Sequence, residues 1–198
     1  MRNTALKVSL VFTLCIICSA PVFATQAGPA EQTLAMIDAL KQVKDNDSST
    51  YKKVDPFINY KLLTTNSIAA HRSKFSDTQF KKFTRLFESL IRKVAYPQSS
   101  SFYEEAKVTY ESPVFKGDSA LVISETFIEK EDFEMTIGYQ WAKTNDAWKL
   151  SDLILDDDSL VKDYQNQFGR IIGKEGVAGL IKKIENKIAD IDAEKAKK

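Results

Sequence analysis

Apolar residues recur along this chain first at helical spacing, then at every second position, then at helical spacing again. Pro29 to Lys44 predicts a helix with Leu34, Ile37, Leu40 and Val43 on one face, closed by a polar loop over residues 45–49. Val54 to Ile68 predicts a second helical stretch, with Pro56 tolerated in its first turn. Residues 76–95 give the clearest helix. Ser76 caps it, and Gln79 three residues later completes a capping box. Phe80, Phe83, Leu86, Phe87, Leu90, Ile91 and Val94 form its stripe, and Tyr96-Pro97 is expected to stop it. From about residue 105 the period is two. Strands are predicted over 106–111, 119–128, 133–142 and 148–155, with turns at Gly117-Asp118 and Asn145-Asp146. In the third strand Phe133, Met135, Ile137, Tyr139 and Trp141 share a face, which implies one covered side of the sheet. The register of Val122 against Ile123 stays open. Helices return over 158–172 and from Glu175 toward Ile188, and the chain is expected to fray from about residue 189. The fold class is α+β: a curved antiparallel sheet of about four strands, wrapped by N- and C-terminal helices.

The N-terminus changes what counts as the folded chain. Arg2 and Lys7 precede an apolar run from Val8 to Cys18, too short to span a bilayer, and Val22-Phe23-Ala24 has the small-x-small form of a cleavage site. Residues 1–24 are expected to be a signal peptide, with 25–198 a single domain in an exported protein. Both cysteines, Cys15 and Cys18, would leave with it, so no disulfide or thiol chemistry is expected. Without Arg2 and Lys7, 26 basic residues face 27 acidic ones. That balance gives no general electrostatic reason to bind nucleic acid.

Candidate chemistry is sparse. His71 is the only histidine, so a histidine-based metal site has no second histidine. Its one acid/base version over an apolar substrate pairs it with Asp152. No nucleophile elbow accompanies the serines. Asp156-Asp157-Asp158 lacks the alternating oxygen ligands and glycine of a calcium loop, and reads as an acidic helix N-terminus. The aromatic residues of 76–95, 133–142 and 158–172 either fill a core or line a cavity.

The stretch Ser159-Leu160-Val161-Lys162-Asp163-Tyr164-Gln165-Asn166-Gln167-Phe168, followed by Gly176 and Gly179-Leu180-Ile181, resembles the signature of the MlaC family of periplasmic phospholipid-binding proteins. Trp148-Lys149-Leu150-Ser151-Asp152 and Val54-Asp55-Pro56-Phe57 resemble two further motifs of that family, in the right order. The chain departs from it at Asp156 to Asp158, where a glycine is common, and at Thr64-Thr65-Asn66.

The resemblance implies a sheet like that of nuclear transport factor 2 and a pocket that holds phospholipid acyl chains. It implies a shuttle between an outer-membrane lipoprotein–porin complex and an inner-membrane ATP-driven (ABC) transporter with MCE-domain proteins. No catalysis follows from it, and no cofactor beyond phospholipid as cargo. The chain is expected to act as a monomer. The residues expected to line the pocket are Phe57, Leu63, Phe83, Phe87, Ile137, Tyr139, Trp141, Tyr164 and Phe168. The competing readings are an enzyme using His71 and Asp152, and a periplasmic chaperone or lipoprotein carrier.

Overall fold

The structure, a computed structural model, describes residues 27–44 and 47–197. The expected signal segment lies outside the described residues, as do Asp45 and Asn46 of the expected loop. Helix α1 (Pro29–Lys41) opens on a proline whose missing N–H costs nothing in the first turn. Its buried stripe is Thr33, Met36, Ile37 and Leu40, continued by Val43. Leu34, expected on that stripe, is 49% exposed. Thr33 takes the inward position instead, because buried Trp141 needs an acceptor there. Trp141 Nε1 donates to Thr33 Oγ1 (3.0 Å), which donates to the Pro29 carbonyl (2.8 Å).

The helical stretch expected over 54–68 is broken. Helix α2 (Ser48–Val54) starts inside the expected loop, where the Asp47 carboxylate accepts from Ser49 N. Asp55-Pro56-Phe57 then form a 3₁₀ turn, and Ile58 is extended, bridging Leu150 of the sheet. Asn59 restarts the chain by capping helix α3 (Tyr60–Ser67), and a second 3₁₀ segment covers Ala69–Lys74.

Helix α4 (Asp77–Leu90) carries the complete capping box at Ser76 and Gln79. It does not stop at Tyr96-Pro97. A π-helical turn over Ile91–Ala95 leads directly into helix α5 (Tyr96–Glu105), with Pro97 in its first turn. The wider turn absorbs the proline, and Lys195 Nζ donates to the Lys93 carbonyl, four residues before it (3.3 Å).

The sheet has six strands rather than about four: β1 (Lys107–Tyr110), β2 (Val114–Lys116), β3 (Ser119–Ile128), β4 (Phe133–Thr144), β5 (Ala147–Leu155) and β6 (Asp158–Ser159). All pairings are antiparallel in the order β1-β3-β4-β5-β6, and β2 also pairs with β3. Val122 lies opposite Tyr139, which puts Val122 on the covered face and Ile123, opposite Gly138, on the other. Asn145 and Asp146 both have positive φ (48° and 64°), as a two-residue hairpin turn requires. Asp156 and Asp157 do the same between β5 and β6 (45° and 73°). The acidic triplet is therefore a turn and a strand end that lead directly into the helix beginning after Ser159. The Asp156 carboxylate accepts from Thr136 N, holding that turn against β4.

Ser159 caps α6 (Leu160–Lys195), a continuous helical run made of two helices that meet at a kink, in keeping with the two helical segments expected. It is interrupted only at Gly176 (φ 70°, ψ −179°), a conformation essentially confined to glycine. The helix also continues past residue 189, where fraying was expected. Ile191 is buried, and Asp192 pairs with Lys93. The helices pack on the face of the sheet that carries Val122, Ile137, Tyr139 and Trp141, all buried, and the core lies between the two layers. Among the described residues no helix is long and apolar enough to cross a membrane.

Candidate functional site

A cavity opens between the sheet and the helices. Met36 and Leu40 of α1 and Val54 of α2 close its deep side, all buried. Ile58 and Leu63 form one wall, and Ile91, Ala95, Tyr96, Ser99 and Tyr103 form another. Tyr139 and residues 150–153 supply the sheet side, and Leu160 and Tyr164 of α6 the rest. Leu63, Ala95, Leu160 and Tyr164 are half-buried, which places the mouth between α3, α5 and α6. The cavity volume is about 90 Å³.

Of the residues read from the sequence, Leu63, Tyr139 and Tyr164 line this cavity. Phe83, Phe87 and Phe168 do not: they form a filled aromatic wedge beside it. Phe83 and Phe87 stack at 5.8 Å, and Phe168 meets them edge-on at 5.5 and 5.3 Å. Tyr164 joins the wedge through Phe87 (4.8 Å) and Phe168 (5.3 Å), so it belongs to both regions. Ile137 and Trp141 face the core from β4 but lie away from the cavity lining. Phe57 packs, partly buried, at the edge of the core. The aliphatic lining residues Met36, Leu40, Val54, Ile91 and Leu150 were not singled out. Each occupied a predicted stripe or strand, and nothing in the pattern separates an apolar residue facing a void from one facing a neighbour.

Polar groups inside the cavity are few and mostly paired. The Tyr103 and Tyr139 hydroxyls bond at 2.7 Å, with Ser124 Oγ donating to Tyr139 Oη at 3.4 Å. Burial pushes both phenols above the ordinary tyrosine value, as it does for Tyr96 and Tyr164. Asp152 touches the lining but is fully engaged in local structure. Its oxygens accept from Leu153 N (2.8 Å), Val161 N (3.0 Å) and Ser159 Oγ (2.5 Å), tying β5 to the start of α6. His71 lies elsewhere. Its ring abuts Gly169, where a Cβ would meet Nε2 at 3.1 Å, and its buried Nδ1 has no hydrogen-bond partner. The acid/base pair of His71 with Asp152 is not assembled. Among the described residues no group of three or more His, Cys, Asp or Glu side chains is placed to hold a metal.

The family model for the MlaC protein matches residues 30–186, nearly the whole two-layer unit. The chain belongs to the MlaC family. Within that family it is 25% identical, over 134 residues, to the intermembrane phospholipid transport system binding protein MlaC of Haemophilus influenzae. That match covers 66% of this chain and 62% of the relative. The fold is shared with the phospholipid-binding protein of Ralstonia solanacearum, which was solved in complex with a phospholipid. The TM-score is 0.68 at 20% identity, covering 81% of this chain and 94% of the other.

Proposed function

We propose that this chain is a phospholipid carrier that holds acyl chains in the cavity between the sheet and the helices and leaves the headgroup at the mouth, in water. The observation that carries the reading is a cavity with an almost wholly apolar lining, in a member of the MlaC family. The names of the relatives in Haemophilus influenzae and Ralstonia solanacearum point the same way.

The physical case is the cost of the alternative. Each methylene exposed to water costs about 0.8 kcal/mol, so two chains of about sixteen carbons cost on the order of 25 kcal/mol. Unaided transfer across an aqueous compartment is correspondingly slow, and an apolar sleeve removes most of that barrier. The lining offers aliphatic surface to the chains and no unpaired charge that would grip a headgroup and slow its release. The carrier makes and breaks no covalent bond in its cargo and needs no cofactor. Its place of work is the periplasm, reached by way of the signal peptide at residues 1–24. There it would exchange lipid with an inner-membrane ABC transporter containing MCE-domain proteins and with an outer-membrane lipoprotein–porin complex.

Organic extraction of the purified protein followed by mass spectrometry is the test. About one intact diacyl phospholipid per protein is expected. Recovery of no lipid, together with no uptake from liposomes, overturns the carrier. Accumulation of lysolipid or free fatty acid overturns the absence of catalysis.

A further inference from the structure

The two helical walls of the cavity come from separate segments, and one side-chain network joins them. Asp55 sits in the 3₁₀ turn between Val54 and Ile58, both of which line the cavity. Arg92 sits in the π-helical turn between Ile91 and Ala95, which line the facing wall. Arg92 grips Asp55 with two hydrogen bonds, from Nε to Oδ1 and from Nη2 to Oδ2, each 2.8 Å. Its Nη2 also pairs with Glu88 at 2.5 Å, and its guanidinium lies over the Tyr60 ring at 5.2 Å. The Tyr60 and Tyr96 hydroxyls both reach Asp55 Oδ1, at 2.9 and 3.0 Å, and also contact each other. Burial works against the charge on Arg92, yet the Asp55 hydrogen bonds raise its pKa above the ordinary arginine value.

Three features make this more than packing. The two phenols have two protons for three oxygen–oxygen contacts, so one contact is always without a hydrogen bond and the network can rearrange cheaply. The charged groups are part-exposed, at 30% for Arg92 and 22% for Asp55, so water can replace the pair as it parts. The π-helical turn that carries Arg92 is a backbone irregularity at the place where α5 would swing if the wall parts to admit an acyl chain.

We propose that the Asp55–Arg92 pair, with Tyr60 and Tyr96, is a clasp between the two cavity walls that sets the rate at which phospholipid enters and leaves. The inference rests on the carrier reading above. Asp55 and Arg92 are positioning residues that hold the walls and need not touch the cargo. Loosening them lowers the barrier to opening in both directions, so loading and unloading accelerate together while the equilibrium between them shifts little.

The experiment is stopped-flow exchange of a fluorescent phospholipid between liposomes and the full mature protein, measured in both directions. Asp55→Asn and Arg92→Gln are expected to speed uptake and release by about tenfold each, with the equilibrium load within about threefold of the parent. Arg92→Lys keeps the charge without the two-pronged grip and should fall between. Tyr96→Phe removes one hydroxyl and keeps the ring, and it carries the test should the charge variants fail to fold by thermal melting. Folded variants that exchange at the parental rate overturn the clasp. So does a change in release alone with a matching loss of affinity, which would make these residues cargo contacts. A parent protein that exchanges no phospholipid overturns the carrier reading instead, so the two failures are distinct.

Discussion

The aromatic wedge and the aliphatic cavity lie side by side and share Tyr164, yet one is full and the other is not. In the wedge, flat rings on α4 and α6 meet face to face and edge to face at 4.8 to 5.8 Å, and each ring completes the next. Around the cavity, residues from α1, α2, α3, α5, α6 and the sheet converge from several directions without closing. Rings on two packed helices fill space efficiently, whereas aliphatic groups on converging elements leave some open. The richest apolar stripe in the sequence is thus a structural spine, and the cavity is built from less conspicuous residues beside it.

The contrast can be broken most severely at Phe87. Phe87→Ala removes a ring from a filled region and is expected to cost about 3–5 kcal/mol, read from urea denaturation. A loss below about 1 kcal/mol would mean the wedge is not packed as described. Alkaline pH should strike the other region, because Tyr96, Tyr103, Tyr139 and Tyr164 all line the cavity. Each ionises near 10.0 in the unfolded chain and higher in the folded one, because burial favours the neutral phenol. Their stabilisation is intact below pH 10 and is lost as the pH rises from there toward the folded-state values. Urea midpoints should be flat from pH 8 to about 9.5 and decline above 10, in step with tyrosinate absorbance.

Leu63→Trp sharpens the comparison by filling the mouth. Stability should change by about 1 kcal/mol or less, since the added ring enters open space. Copurified phospholipid should fall by about tenfold, and an undiminished load would place the cargo elsewhere. The smallest effect is expected from His71→Ala, which touches neither region. Lipid transfer should match the parent, and its loss would revive a role for the histidine in function.

Much of the architecture was legible because it rests on local pattern. The capping box at Ser76 and Gln79, the alternation of β4 and the paired turn residues Asn145 and Asp146 each fix a local geometry by themselves. What escaped depends on partners distant in sequence. Val114 to Lys116 is too short to read as a strand and becomes β2 only because β3 lies opposite. Pro97 looks like a stop, but the π-helical turn before it and Lys195 from the far end of the chain carry the helix through. Ile191 lies in a polar tail and is held by burial against the body. In the candidate site the sequence showed which faces are apolar, hence Leu63, Tyr139 and Tyr164. It did not show which apolar faces meet a neighbour and which meet a gap, because that is decided by how elements converge.

The placement of the cavity between two layers bears on how copies of the molecule would meet. Its apolar lining lies between the sheet and the helices instead of on an outer face. In a carrier, the greasiest surface would be turned inward, and two copies colliding in water would not meet through it.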